Sequence, residues 1–285
     1  MTEKLSPRRP ATRVPEPAMV MDEADQVDEY LAAGVDDGAM TATHLLHSAH
    51  AAALIRPGDR VLDLGCGPGT QLIQLAELCP DAEFVGVDLS PRMLALAEAN
   101  AAASGTTNVR WRQADITALD AFDDSSFGVI TSSMTLHHLP TMADLRRCLE
   151  QVHRLLDADG RVYLADFARL RSVAAMRALS RMRADHQPTL FTRDYFNSLR
   201  AAFSARQWHE AAEASGLLER DDVRLDVTQP IGLMQVLRSE AADPIDAQLA
   251  ARLEARQAVL GARAREDLAA LTQLFDRGGL RPILS

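Results

Sequence analysis

From Val61 to Thr70 the chain reads Val-Leu-Asp-Leu-Gly-Cys-Gly-Pro-Gly-Thr, an apolar run that ends in an acid and opens into alternate glycines. Asp63 can meet a cation. Gly65, Gly67 and Gly69, with Cys66 among them, let backbone approach a ligand with no Cβ in the way. A second apolar run, Val85-Gly86-Val87, ends in Asp88, and a carboxylate at that place can accept from both hydroxyls of a ribose. The combination is that of a nucleotide-cofactor site at the carboxyl edge of a parallel sheet. Farther on, His137 and His138 follow another apolar run. An imidazole there could accept a proton near neutral pH; the competing reading is a pair that packs and caps the next helix.

The glycine spacing narrows the cofactor. A dinucleotide fingerprint needs G-x-G-x-x-G, whereas position 70 is Thr and Gly69 comes one residue early. An acid at Asp63 is also unusual for a dehydrogenase. The stretch resembles motif I of the class I S-adenosylmethionine (SAM) dependent methyltransferases, an acid followed by G-x-G-x-G. Asp88 is similar to that family's ribose-binding acid, Gln113-Ala114-Asp115-Ile116 to its adenine-side motif, and Thr131 to Leu139 to the fourth-strand motif of its small-molecule members. The resemblance covers roughly residues 40–238. It implies that SAM is the cofactor, that Asp63 reaches its ammonium, and that Gly65, Cys66, Gly67 and Gly69 line its methionine end. It further implies that Asp88 takes the ribose, that Leu89 packs on adenine with Met93 in the same cofactor set, and that Asp115 accepts from the adenine amino group beside Ile116. The Thr131 backbone would face the methionine part, and Tyr30 would close over it from the amino-terminal side.

For the acceptor, the resemblance places His137 and His138 at the carboxyl end of the fourth strand, over the methyl group, as the acid–base candidates. Asp166 ends the fifth strand and points to the same crevice. His186 and Tyr195 belong to an aromatic- and arginine-rich insertion and are the remaining substrate-side candidates. The N/D-P-P-Y/F motif of amino-group methylases and the Pro-Cys of cytosine enzymes are absent at Ser132-Ser133-Met134-Thr135. Metal-dependent catechol-type members carry an acid after the fourth strand and Asp-Asn after the fifth. Ser132-Ser133 and Asp166-Phe167 stand there, so no catalytic metal is expected. His44, His47 and His50 recur every third residue, which is not the four-residue spacing of zinc helices; one of them touching cofactor or substrate is the more plausible role.

These residues must be held by a scaffold. Short apolar runs at residues 60–64, 83–88, 109–113, 128–132 and 161–166 alternate with helical patterns, which is the signature of a doubly wound α/β sheet. Two more strands are expected at 219–227 and 231–237. The resemblance implies a Rossmann-like, seven-stranded, mostly parallel sheet with helices on both faces and the final strand antiparallel. Around a core of residues 59–238, with a helical lid insertion at 168–204, the pattern gives a disordered tail (1–18), amino-terminal helices (19–58) and a carboxyl-terminal helical extension (239–285). Ile245, Leu249, Leu253, Leu260, Leu268, Leu271 and Phe275 give that extension an apolar stripe, through which a homodimer could form.

Composition bounds the function. The chain has 285 residues, 47% of them hydrophobic, and a formal net charge of −10. An acidic chain lacks the basic field of nucleic-acid binders. No apolar run approaches the roughly 18 residues that span a bilayer, and the amino terminus lacks the apolar core of a signal peptide. Three cysteines, Cys66, Cys79 and Cys148, fit neither a disulfide framework nor a zinc knuckle, so a cytoplasmic setting is expected. The expectation is SAM-dependent methylation of oxygen, nitrogen or carbon on a small molecule. The alternatives are a SAM-fold protein that binds cofactor without transferring methyl and an NAD-dependent oxidoreductase.

Overall fold

A computed structural model describes residues 11–17, 38–184, 187–240, 245–280 and 283–284. Tyr30, His186 and the helical pattern at residues 21–33 lie outside the described residues.

In chain order the elements are α1 (Thr41–Ala52), β1 (Arg60–Leu64), α2 (Thr70–Leu78), β2 (Glu83–Asp88), α3 (Pro91–Ser104), β3 (Val109–Gln113), β4 (Phe127–Ser133), a 3-10 turn (Leu136–His138), α4 (Met142–Leu155) and β5 (Leu156–Phe167). There follow α5 (Val173–Ser180), α6 (Thr189–Ala201), α7 (Ala205–Ala214), a second 3-10 turn (Leu217–Glu219), β6 (Val223–Val227), β7 (Met234–Ser239), α8 (Ala247–Ala258) and α9 (Ala262–Arg277). One sheet of seven strands runs β3-β2-β1-β4-β5-β7-β6. The pairs from β3 through β5 are parallel, and β7 is antiparallel to both neighbours.

The central strands are buried on both faces. Val61, Leu62 and Leu64 of β1 and Val129 and Ile130 of β4 have essentially no exposure, which is why their sequences read as continuous apolar runs and not as alternation. Each face carries an apolar core. One joins the sheet to α1, α2, α8 and α9, and the other to α4 and α7, with Trp208 fully buried. Local signals end the elements. Pro91 occupies the first helical position of α3 and the Ser90 hydroxyl accepts from the Met93 amide at 3.1 Å, satisfying a helix-end donor that would otherwise stay unpaired. Gly216 adopts φ +82° just after α7, the left-handed conformation that stops a helix.

Three strand starts differ from the sequence pattern by more than one residue. β5 starts at Leu156, five residues early, because the chain leaves α4 directly into the sheet; Leu156 pairs with Phe127, and a register shift before Val129 absorbs the extra length. β6 starts only at Val223 because Leu217–Glu219 closes a 3-10 turn. β7 starts at Met234 because the Gly232 amide bonds back to the Thr228 carbonyl at 2.9 Å.

The carboxyl-terminal stripe also finds a different partner. Leu249, Leu253, Leu268 and Phe275 are buried within the chain. The Phe275 ring lies 5.7 Å from His47 and 5.5 Å from His50 of α1, and Arg252 donates to the Leu78 carbonyl at the end of α2. The surface that suggested a dimer is covered by the chain's own α1 and α2.

Residues 11–17 fall in the stretch read as a disordered tail, yet they run along the body. The Val14 amide donates to the Arg200 carbonyl at 3.0 Å. Arg13 donates to the carbonyls of Ala201 (2.6 Å), Pro140 (2.5 Å), His137 (3.0 Å) and Leu139 (2.5 Å), and its guanidinium lies 3.8 Å over the Phe203 ring.

Candidate active site

Strand order reverses direction of growth between β1 and β4, and the carboxyl ends of those strands diverge there, leaving a crevice. The cavity at that point takes its walls from four strand ends and the segments that follow them: Gly65 to Pro68 with Thr70 and Gln71 after β1, Asp88, Leu89 and Met93 at and after the end of β2, Ala114 to Ile116 after β3, and Ser133 to Thr135 with His138 and Leu139 at and after the end of β4. Asp63 forms its floor and His44 of α1 reaches it from one side. Of the expected cofactor residues, Asp63, Gly65, Cys66, Gly67, Asp88, Leu89, Met93, Asp115 and Ile116 line this single cavity.

Gly65 and Gly69 are fixed by the turn. Gly65 holds φ +70°, and a Cβ there would lie 2.1 Å from Thr135 Cγ2; Gly69 holds φ +76°, and its Cβ would lie 2.6 Å from the Trp111 ring. Gly69 therefore shapes the turn and caps α2 without lining the cavity, unlike its expected role. Gly65→Ala should displace Thr135 and the loop after β4. We expect a loss of SAM affinity of about tenfold or more with a lowered melting temperature, since a forced left-handed residue costs on the order of 1–3 kcal/mol. Calorimetry and a thermal melt measure both; an alanine variant with unchanged affinity would show that the turn is not strained.

Asp88 closes the same loop. Its Oδ2 accepts from the Gly67 amide at 2.8 Å and its Oδ1 from the Ser90 amide at 2.9 Å. Asp63 is packed at the base, and its Oδ1 accepts from the Thr131 hydroxyl at 2.8 Å. Burial pushes its carboxyl up to about 7; the Thr131 hydrogen bond opposes the rise, and the Asp88 charge adds to it. Thr131 is buried behind Asp63 and does not line the cavity. It acts on the site through its side chain, where its backbone was expected to face the ligand. Asp115 lines the cavity, and its Oδ1 accepts from the Thr117 amide and hydroxyl, both at 2.8 Å; it caps a turn as well as facing the crevice.

The two histidines divide. His138 lines the cavity, and its Nδ1 is buried with no hydrogen-bond partner among the described residues. Burial, and then the neighbouring His137, hold it well below the ordinary imidazole range. His137 does not line the cavity. It is buried against β5, its Nδ1 2.7 Å from Asp166 Oδ1 and its backbone amide donating to Asp166 Oδ2 at 2.7 Å. Burial opposes its charge, but the Asp166 carboxylate, by charge and hydrogen bond, and Glu16 outweigh that and raise it. Asp166, expected to face an acceptor, is fully occupied: it also accepts from the Phe167 amide and sits beneath the turn. The two rings are neighbours, centroids 4.3 Å apart; Asp166 of β5 holds the His137 ring, and His138 is the one of the pair that lines the cavity.

Tyr195 of α6 stacks near Phe167, ring centroids 5.3 Å apart, and does not line the cavity. Burial pushes its phenol up to about 12. No described residue of 168–204 lines this cavity; α5 and α6 pack on each other, and Arg183 is paired with Asp267 of α9. His47 and His50 belong to the packing around Tyr163, the His47 Nδ1 lying 2.8 Å from its hydroxyl. Gln71, Ser133 and Met134 are cavity residues that the sequence did not single out. Their signal was position: Gln71 follows the first glycine loop, and Ser133 and Met134 lie within the fourth-strand motif without an assigned role. Met134 holds φ +58°, which aims the loop after β4 across the cavity.

Residues 55–215 match the sequence family described as a methyltransferase domain. Among curated relatives, the demethylmenaquinone methyltransferase of Thermus thermophilus is 36% identical over 115 residues, covering 40% of this chain and 50% of that protein. The 27-O-demethylrifamycin SV methyltransferase of Amycolatopsis mediterranei is 34% identical over 125 residues, 44% of each chain. The chain thus spans about half the length of the curated relatives it matches. Among solved structures, a SAM-dependent methyltransferase from Aquifex aeolicus superposes with a TM-score of 0.54 at 16% identity, over 77% of this chain and 98% of that one. That likeness extends the shared fold beyond the residues matched by sequence.

Proposed function

The chain belongs to the methyltransferase-domain family, and from that premise we propose that it transfers a methyl group from SAM to a small molecule. The observation that carries this reading is the cavity itself. One crevice combines a half-buried carboxyl, Asp63, with a second acid, Asp88, at the end of the neighbouring strand, and apolar walls from Leu89, Met93 and Ile116.

The residues fit the cofactor. Asp63 is a half-buried acid on which no cation acts among the described residues, and the amino-acid ammonium of SAM supplies one. Asp88 takes the ribose, and Leu89, Met93 and Ile116 pack on the adenine with Asp115 at its edge. When bound, SAM provides a methyl carbon already activated by its positive sulfur. The chain's task is to hold the acceptor in line behind that carbon and to keep water out. His138 lines the cavity, and its Nδ1 has no hydrogen-bond partner among the described residues. Its neutral form can accept a hydrogen bond, and then the proton, from an acceptor hydroxyl or amine. A neutral group also avoids placing a like charge beside the sulfonium. His137 and Asp166 fix the turn that aims it. The relatives, a demethylmenaquinone methyltransferase and a 27-O-demethylrifamycin SV methyltransferase, favour an acceptor of small-molecule class. Three free thiols favour a reducing, cytoplasmic setting, and no described helix is long and apolar enough to cross a membrane.

Asp63 makes the binding step sensitive to pH. In the unliganded protein its carboxyl loses its proton only near pH 7, and the ammonium requires the ionised form. Affinity for SAM and its demethylated product should therefore fall as pH drops through about 7, and binding at pH 6.5 should release a proton. Calorimetry in buffers of different ionisation enthalpy measures the release, and Asp63→Asn should abolish it. The same substitution should raise the melting temperature above pH 7. A carboxyl whose folded pKa exceeds its unfolded value costs stability as pH rises between the two, and asparagine removes that cost while keeping the Thr131 hydrogen bond. Binding of NADH in place of SAM would reject the whole reading.

A further inference from the structure

The segment of residues 11–17 delivers Glu16 to the histidine pair. Glu16 Oε1 accepts from Ser198 of α6 at 2.9 Å, and a carboxylate oxygen of Glu16 and one ring nitrogen each of His137 and His138 lie within 4.8 Å of one another. The delivery depends on Arg13, whose guanidinium is spent on four carbonyls, three of them in the stretch His137 to Pro140. We propose that residues 11–17 form a clip, locked by Arg13, that makes Glu16 a positioning residue for the proposed reaction by confining the positive charge of the pair to His137 and leaving the cavity-facing His138 neutral. The proposal rests on the functional reading above for its consequence, but not for its geometry.

The charges around the pair support it. His137 faces Asp166 from β5, Glu16 and Arg13 from the clip, and His138 from its own turn. With His137 protonated, two carboxylates balance one guanidinium and one imidazolium. Beyond them, Arg13 faces Arg169 and Asp144, and Glu16 faces Asp194. Burial works to keep Glu16 protonated, and His137 and Ser198 are the first groups to oppose that. The clip is thus net neutral, but it sets its negative end near the imidazoles and its positive end on carbonyl oxygens. Removing Glu16 leaves His137 with one carboxylate and a nearby guanidinium, so its proton is held less tightly. A proton then has less preference for His137 over His138.

Imidazole nitrogen NMR of the full chain, titrated from acid to alkaline pH, tests this without an acceptor. In Glu16→Gln the loss of the His137 proton should move to lower pH by about one to two units, the size of one partly buried charge near 5 Å. Glu16→Asp should restore part of the shift. Arg13→Ala unlocks the clip but also removes a cation that lowers His137, so its downward shift should be smaller than that of Glu16→Gln. Thermal melts of each variant confirm folding. An unchanged His137 titration in Glu16→Gln overturns the proposal, and so does a rise in Arg13→Ala. So does stoichiometric binding of zinc ion alone that is lost in Glu16→Gln, because the three groups would then be metal ligands. SAM binding is read separately by calorimetry: intact SAM binding with a failed titration rejects the clip alone, and absent SAM binding rejects the functional reading alone.

Discussion

Replacing Asp88 by alanine should weaken SAM binding by about 100-fold or more. The carboxylate does two things that alanine cannot. It is the charged acceptor for the ribose hydroxyls, and hydrogen bonds to a charged acceptor are worth about 1.5–3 kcal/mol each. It also accepts from the amides of Gly67 and Ser90, so its loss frees the glycine loop and the start of α3. Asp88→Asn separates the two. An asparagine oxygen can still accept from one loop amide but brings no charge, so its affinity should lie between wild type and alanine. Calorimetry with SAM and with its demethylated product measures all three. Equal affinities across the series would remove Asp88 from the ribose site.

The second large effect concerns turnover. His138→Ala should reduce methyl transfer by about 100-fold, the lower range for a general base, while SAM affinity changes little. His137→Ala should fail differently. It strands the buried Asp166 carboxylate, and breaking one side of a buried charged pair costs about 3–5 kcal/mol, so the melting temperature should fall along with activity. The contrast between a stable, inactive His138 variant and an unstable His137 variant is the signature of one imidazole facing the cavity and the other beneath it. If both variants remain active, in-line positioning alone carries the reaction.

The contrast also shows what the sequence made legible. That Asp63, Gly65, Gly67, Asp88 and Asp115 meet at one cavity could be read because strand ends and tight turns are local, and a parallel sheet gathers its carboxyl ends at one edge. Which of His137 and His138 faces the cavity could not be read, because the contact of His137 with Asp166 of β5 decides it and adjacent histidines give no periodicity. Asp166 was rightly assigned to the end of β5, yet its partner is the His137 ring and not a ligand. Periodicity found the stripe from Leu249 to Phe275 but not what covers it, since a helical pattern defines a face and is silent on its partner. Arg13 and Glu16 were hidden most deeply. They lie in a proline-rich stretch with no pattern, and every contact that fixes them comes from residues far along the chain.

Methyl transfer from SAM to a small molecule can be followed by the label it carries. The protein is incubated with methyl-labelled SAM and a metabolite extract, and label in the small-molecule fraction is followed by mass spectrometry. A discrete labelled product should form with the wild type and be sharply reduced with Asp88→Ala and with His138→Ala. SAM bound tightly with no label passed to any acceptor, or label passed equally by all three proteins, would contradict the proposed reaction.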